Sequence, residues 1–385
     1  MIRKFLLTIC LLLAVVSEAT AADENRIFKC EPYLQQPVDS GITVTWVTAV
    51  PTYSWIEYGT DAQHLVPMHL TWNGIIEAND LIHRFRLSHL QPGQKYYYRV
   101  CSREITKYEA YNKQFGPTAT SPVHSFTLPK TSDTDFTMII YNDLHDRMAT
   151  YDQLAALVKD VPRDFTIFNG DCLADIDSAA EGLRLIAHMN EGAQAADVPV
   201  LYLRGNHETR NQFSLLLRQY VDFVGDKSYQ AFNWGDTRFV VYDCGEDKSD
   251  DHKEYFGLDD FAAFRQAETV FLRHELHSKA FRKAKCRVLI GHVPLFGNTD
   301  DYQPCRDAWL PFLAKAPFNI AIGAHIHAYT YQPADSVHAY PVVTGGGPST
   351  NVKDEDVATV MVLQKRGRQL SLRVIRADGT ELLKL

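Results

Sequence analysis

The chain has 385 residues, 45% of them hydrophobic and 22% charged, which is enough apolar material for a sizeable core. That length suits two domains, or one large domain with an attachment. A net charge of −8 and the lack of any Lys/Arg stripe argue against duplex nucleic acid as a partner, because affinity for a long polyanion rests largely on phosphate neutralisation.

The N-terminus reads as a targeting segment. Arg3 and Lys4 form a positive start, Phe5 to Val16 is an apolar stretch too short for an ordinary membrane span, and Ala19-Thr20-Ala21 supplies a small-residue cleavage pattern. Residues 1–21 are therefore expected to be a signal peptide, the alternative being an uncleaved anchor. Ile9 before Cys10 argues against a lipid-attachment cysteine. No later segment is long and apolar enough to span a bilayer, so the expectation is an exported, soluble protein, periplasmic or secreted, with the periplasm preferred. Cys30, Cys101, Cys172, Cys244, Cys286 and Cys305 follow; none has CxxC spacing, and an oxidising compartment permits disulfides without selecting a pairing, so buried free thiols stay equally open.

Residues 26–129 read as short strands. Ile42-Thr43-Val44-Thr45-Trp46 and Ile82-His83-Arg84-Phe85-Arg86-Leu87 alternate with period two. Leu90-Gln91-Pro92-Gly93-Gln94-Lys95-Tyr96 resembles the fibronectin type III fingerprint, in which a Pro-Gly turn precedes a tyrosine packed at the sandwich corner. Trp46 is expected to be a core anchor. Pro129 to Asp135 is a polar, turn-forming linker and the expected domain boundary.

From 135 to 385 the pattern changes. Apolar strand candidates at Phe136–Tyr141, Phe165–Phe168, Val198–Leu203, Thr237–Tyr242, Arg287–Ile290 and Ile320–Ile322 alternate with helical stretches near Tyr151–Val161, Leu258–Ser278 and Ala308–Lys315. The tail returns to strands at Tyr340–Thr344, Ala358–Leu363 and Leu370–Ile375. Alternating β and α with a β-rich end suggests two packed sheets flanked by helices.

Most of five polar clusters follow such apolar runs directly: Asp143-Leu144-His145, Gly170-Asp171, Gly205-Asn206-His207-Glu208, Gly291-His292 and His325-Ile326-His327. Two nearby divalent cations need several hard or borderline donors and a carboxylate that bridges them. Asp supplies the bridge, His neutral nitrogens, and Asn a carbonyl oxygen without added charge. Asp143, His145, Asp171, Asn206, His292, His325 and His327 make seven such groups. In a site about 3.5–4 Å across, the cations turn a bridging water into a nucleophile and neutralise the phosphoryl oxygens of an in-line displacement.

The five clusters, in this order, resemble the calcineurin-like metallophosphoesterase superfamily. With Glu31-Pro32-Tyr33-Leu34-Gln35 opening a front domain, the chain is similar to purple acid phosphatases and their bacterial relatives. The resemblance implies an N-terminal fibronectin type III-like β-sandwich followed by a four-layer α/β/β/α domain, a mixed α+β and α/β two-domain chain. It implies two divalent metal ions: Asp143, His145 and His327 on metal one, Asn206, His292 and His325 on metal two, and Asp171 bridging. His207 would assist the leaving group, Glu208 would orient His207 or its surroundings, and Arg204 or Arg210 could meet the substrate phosphate, a solvated role being equally open. The expected activity is hydrolysis of a small phosphomonoester; a phosphodiesterase on the same centre and a non-catalytic secreted binding protein are the alternatives, and the partner of the front domain stays unknown.

Two positions depart from the family. The metal-binding tyrosine expected three residues after the bridging aspartate is Ala174, which removes the phenolate that favours a ferric ion and leaves Zn, Mn or Fe(II) open; Asp175 is the nearest replacement in sequence. Ala324 stands where glycine usually precedes the His-x-His pair. Glu246 to Asp251 is expected to be a solvated acidic loop, and Cys172 to point its thiol away from the site.

Overall fold

The computed structural model describes residues 27–38, 40–174, 176–348 and 357–385. The expected signal peptide and Asp175 lie outside them. Among the described residues no helix is long and apolar enough to cross a membrane.

Two sheets form the body of the second domain. One runs Glu381–Lys384, Gln369–Arg376, Thr359–Arg366, Phe136–Tyr141, Phe165–Asn169, Val200–Leu203, and the other Gln230–Trp234, Thr237–Tyr242, Cys286–Gly291, Ile320–Gly323, Val342–Thr344, Thr330–Gln332. Within each, the central strands pair in parallel and the flanking strands antiparallel. The central strands are largely apolar because both faces are covered. In Phe136–Tyr141, Phe136, Met138 and Ile140 enter the core between the sheets with Ile167, Val288 and Ile322. Ile139 and Tyr141 face the other way, onto the helices Met148–Val158 and Ala179–Ala193 through Tyr151, Leu154, Ile186 and Met189. Leu289 and Val240 of the second sheet pack likewise on Leu272, Trp309 and Leu313 of the helices Phe261–Leu276 and Pro304–Leu313. Three cores in series make four layers, helix, sheet, sheet, helix.

Helix ends follow ordinary capping rules. Ser178 accepts the Glu181 N–H at the start of Ala179–Ala193, and Gln194 closes the helix in the left-handed conformation.

The front domain is a β-structure around Trp46, which is fully buried, stacks on Phe85 with centroids 5.0 Å apart, and donates Nε1–H to Ser102 Oγ at 3.0 Å. Tyr96 sits at the corner the Pro-Gly turn announces: its hydroxyl accepts the Gln91 N–H at 2.9 Å. The front strand Phe28–Gln35 continues the first sheet in parallel beside Val200–Leu203, with Gln35 opposite Val200. Tyr33 donates its hydroxyl to Tyr220 O at 2.8 Å, and Gln35 both donates to Tyr220 O and accepts from Asp222 N–H. The two domains therefore share a sheet and a set of buried hydrogen bonds. The segment between them is pinned as well, since the buried Lys365 ammonium reaches Thr134 O at 2.8 Å and Asp236 at 2.6 Å. All six described cysteines are free thiols.

Candidate metal centre

Each candidate ligand leaves the end of a strand and turns sharply. Asp143, His145, Asp171, His325 and His327 all hold φ between 45° and 73°, the left-handed region that costs a non-glycine residue free energy. Such concentration of strain at the ends of Phe136–Tyr141, Phe165–Asn169 and Ile320–Gly323 aims the side chains back across the sheet edges. Close approach also explains two glycines. A Cβ on Gly205 would lie 2.2 Å from Asp171 Oδ1, and one on Gly170 2.5 Å from the His292 ring.

The side chains converge in three overlapping groups whose donor atoms lie within 4.8 Å of one another: Asp143, His145 and His327; His145, Asp171 and His207; Asp171, His292 and His325. Asn206 joins the last through its Oδ1, 2.9 Å from His325 Nδ1. All seven residues proposed from sequence as metal donors thus meet at one place, with Asp171 common to two groups. His145, two residues after Asp143, stands in the first group, while Ala174 offers no side-chain donor.

The unmet valences point to cations. His145 Nε2 and His292 Nε2 are buried without a hydrogen-bond partner, although His292 Nε2 lies 3.0 Å from Asp171 Oδ2 and 3.8 Å from Asp143. Burial pulls the His292 imidazole down, but the Asp171 carboxylate outweighs it and holds the group up to about 10. Burial drives the His145 imidazole to about 3. Burial raises the Asp143 carboxyl, whereas for Asp171 the surrounding imidazoles, His292 foremost, overcome burial and hold the carboxyl low. Two buried carboxylates among four imidazoles and an amide oxygen are a donor set that suits divalent metal ions.

Other groups orient these donors. His292 Nδ1 donates to Asn169 O at 2.9 Å and His327 Nδ1 to Pro348 O at 2.7 Å, so both rings turn Nε2 toward the carboxylates. Asn142 Nδ2 and the His325 N–H donate to the Asp143 carboxylate.

His207 lies against the cluster, its ring centroid 4.7 Å from that of His145, and its N–H donates to Asp171 Oδ1 at 2.9 Å. Glu208 works differently from a side chain that contacts the His207 ring. Its buried carboxylate accepts the N–H groups of Asp171, Cys172, Leu173 and Gly205 at 2.8–2.9 Å, tying the two ligand loops together. Burial and the nearby Asp171 charge push this carboxyl up to about 7 against those donors.

Arg204 pairs with Asp243 at 2.8 Å and lies over the rings of Phe261 and Phe264. Arg210 places Nη1 3.4 Å from His207 Nε2, while its Nε and Nη2 fork onto Glu246 and Nη2 also meets Asp247 at 2.6 Å. Glu246 is buried, and it further accepts from Thr209 and Tyr255, so the acidic run is a clamp at this residue rather than a solvated loop. Asp300, which the sequence motifs do not mark, accepts from His325 Nε2 at 2.8 Å. Cys172 turns its thiol to Gly170 O, and burial raises its pKa well above the ordinary thiol value, leaving it protonated. Ala324 is fully buried and donates its N–H to His292 O at 2.8 Å.

Residues 136–329 match the calcineurin-like phosphoesterase model, and residues 31–128 match the purple acid phosphatase N-terminal domain. Acid phosphatase type 7 of Homo sapiens and of Mus musculus are each 25% identical, over 304 and 303 residues. Each alignment covers 71% of this chain, which spans 60% of those relatives' length. Among solved structures, a purple acid phosphatase from yellow lupin (Lupinus luteus) seeds superposes with a TM-score of 0.64 at 16% identity, over 92% of this chain and 73% of that one. A structure of PhoD gives 0.62 at 13% identity, over 94% and 92%. These two structures carry the same two-domain fold. The family model spans half of the chain, and the protein belongs to the calcineurin-like phosphoesterase family.

Proposed function

We propose that this chain is an exported phosphohydrolase with a binuclear metal centre that cleaves small phosphomonoesters. The observation that carries the reading is the convergence of Asp143, His145, Asp171, Asn206, His292, His325 and His327, with two buried imidazole nitrogens left unpaired. Asp143, His145 and His327 would hold one divalent cation and Asn206, His292 and His325 the other, Asp171 serving both. Zn, Mn and Fe(II) all suit these donors. A cation pair supplies an activated water and charge neutralisation for a phosphoryl group.

The chain's own groups do the rest. Glu208 holds the loops of Asp171 and Gly205 in register. His207, beside the cluster, gives a proton to the departing alkoxide. Arg210 is the cation adjacent to His207, and substrate phosphate would compete for it with Glu246 and Asp247. Arg204, engaged by Asp243, is the more remote candidate for the same role. Export rests on the leader-like residues 1–21, with a periplasmic or secreted product expected.

The test is hydrolysis of p-nitrophenyl phosphate against bis-p-nitrophenyl phosphate by protein loaded in turn with Zn, Mn and Fe(II). Monoester turnover that vanishes in Asp171→Asn supports the reading. The carboxylates already on Arg210 favour a diester as the second reading, because a diester carries less negative charge than a monoester dianion. Diester preference in the same assay would replace the first reading with it. Turnover of neither substrate by metal-loaded protein would count against both.

A further inference from the structure

His325 differs from His292 and His327 in what stands behind it. His292 and His327 each donate Nδ1–H to a neutral backbone carbonyl and turn Nε2 inward. His325 is reversed: Nδ1 faces Asn206 Oδ1 at 2.9 Å, and Nε2 meets the Asp300 carboxylate at 2.8 Å. A carboxylate only accepts, so it holds the Nε2 proton and leaves Nδ1 unprotonated toward Asn206 Oδ1, in the residue that groups with Asp171 and His292.

We propose that Asp300 is the positioning residue of the second metal site, fixing the tautomer and direction of His325; this rests on the metal-centre reading above. A charged acceptor makes a stronger bond than a carbonyl and raises the donor strength of the opposite nitrogen. The turn that delivers Asp300 is itself held. Its N–H donates to Asn298 Oδ1 at 3.1 Å, Gln303 Nε2 donates to Asn298 O at 3.0 Å, and Tyr302 accepts from Arg265 at 2.9 Å. Arg265 in turn donates to Cys244 O at 3.1 Å, two residues before the Glu246 that grips Arg210. Asp300 thereby ties one ligand of the cluster to the loop framework that also carries the Arg210 clamp.

The test is metal binding, measured by competition with a chromogenic chelator on the full chain with Zn or Mn alone. Asp300→Ala should weaken one of the two ions, the second ion at the His325 site, by about 10- to 100-fold and leave the other within twofold. Asp300→Asn, which keeps an acceptor without charge, should fall between Ala and wild type. Asp301→Asn, a neighbouring exposed carboxylate, should bind both ions as wild type does, separating the contact from loss of nearby charge. Equal affinities for both ions in wild type and Asp300→Ala would overturn the proposal while leaving the metal centre intact. A wild-type protein that binds fewer than two ions would overturn the metal-centre reading and the role of Asp300 together. Thermal melts confirm that Asp300→Ala is folded; a weakened second ion in a wild-type-like melt supports positioning, and loss of both ions in step with a lowered melt overturns it.

Discussion

Asp171 is where a single atom change should matter most. Its carboxylate is shared by two donor groups, so Asp171→Asn is expected to weaken both ions and lower turnover by at least about a thousandfold, read by metal content and initial rates. His207→Ala should keep both ions and lower turnover by about 10²–10⁴-fold, most for esters with poor leaving groups. A His207→Ala protein stripped of metal would instead place His207 among the ligands. Far from the site, His83 lies buried in the front domain, its Nε2 within 3.1 Å of Thr48 Oγ1 and 2.9 Å of Thr52 Oγ1. Burial lowers its pKa to about 4, against a weaker opposing pull from Asp80. Between that value and the ordinary 6.5 the unfolded chain binds a proton that the folded chain refuses, so stability rises with pH across this window. The contribution is complete above 6.5 and lost as pH falls, by about 3 kcal/mol at pH 4. Denaturant melts of wild type and His83→Gln at several pH values should show the wild type losing more stability on acidification.

At the scale of elements, most strands are plain in the residues, and the tasks of individual loop residues outside the five clusters are not. Phe136–Tyr141 and Thr237–Tyr242 carry the bounds expected from their apolar runs, because burial on both faces keeps these strands largely apolar. The helix expected at Tyr151–Val161 begins earlier, at Met148, and that expected at Ala308–Lys315 starts at Pro304, a residue suited to a first helical turn. Gln230–Trp234 did not stand out as a strand. Its residues Gln230 and Asn233 break the apolar pattern, and it forms the antiparallel edge of its sheet. Glu208 shows how a loop residue takes its task from its surroundings. Four N–H groups from two loops converge on its carboxylate, so Glu208→Gln presents an amide donor to donors and should destabilise the protein by about 3 kcal/mol. Thermal unfolding of the metal-free protein would check this, a melt unchanged from wild type being the contrary result.

For the whole molecule, the two domains behave as one body in this structure because Phe28–Gln35 lies in the sheet of the second domain and Tyr33, Gln35 and Tyr98 bond across the boundary. Calorimetry on the full chain should give one cooperative transition. A fragment beginning at residue 130 should aggregate or unfold without cooperativity, since it uncovers the edge of Val200–Leu203 and strips the partners of Tyr220 and Ala196. Two separated transitions, or a stable fragment, would show that the shared sheet adds little.

By itself the sequence determined the donor chemistry and the places it could occupy. Alternating runs in the front domain and continuous apolar runs in the second pointed to the strands, and most of the polar clusters lay directly after them. It also carried the Tyr96 corner, the buried Trp46 and the change of pattern after the linker that ends at Asp135. Which residues meet was settled by the folded arrangement of strands and loops. Asp143 receives the His325 N–H from 182 residues away, Glu246 claims Arg210 across 36, and Asp300 backs His325 across 25. Those pairings depend on strand order and on which loops share an edge. A carboxylate in the chain looks the same whether it faces solvent, a metal site or an arginine, and its neighbours in space settle its role.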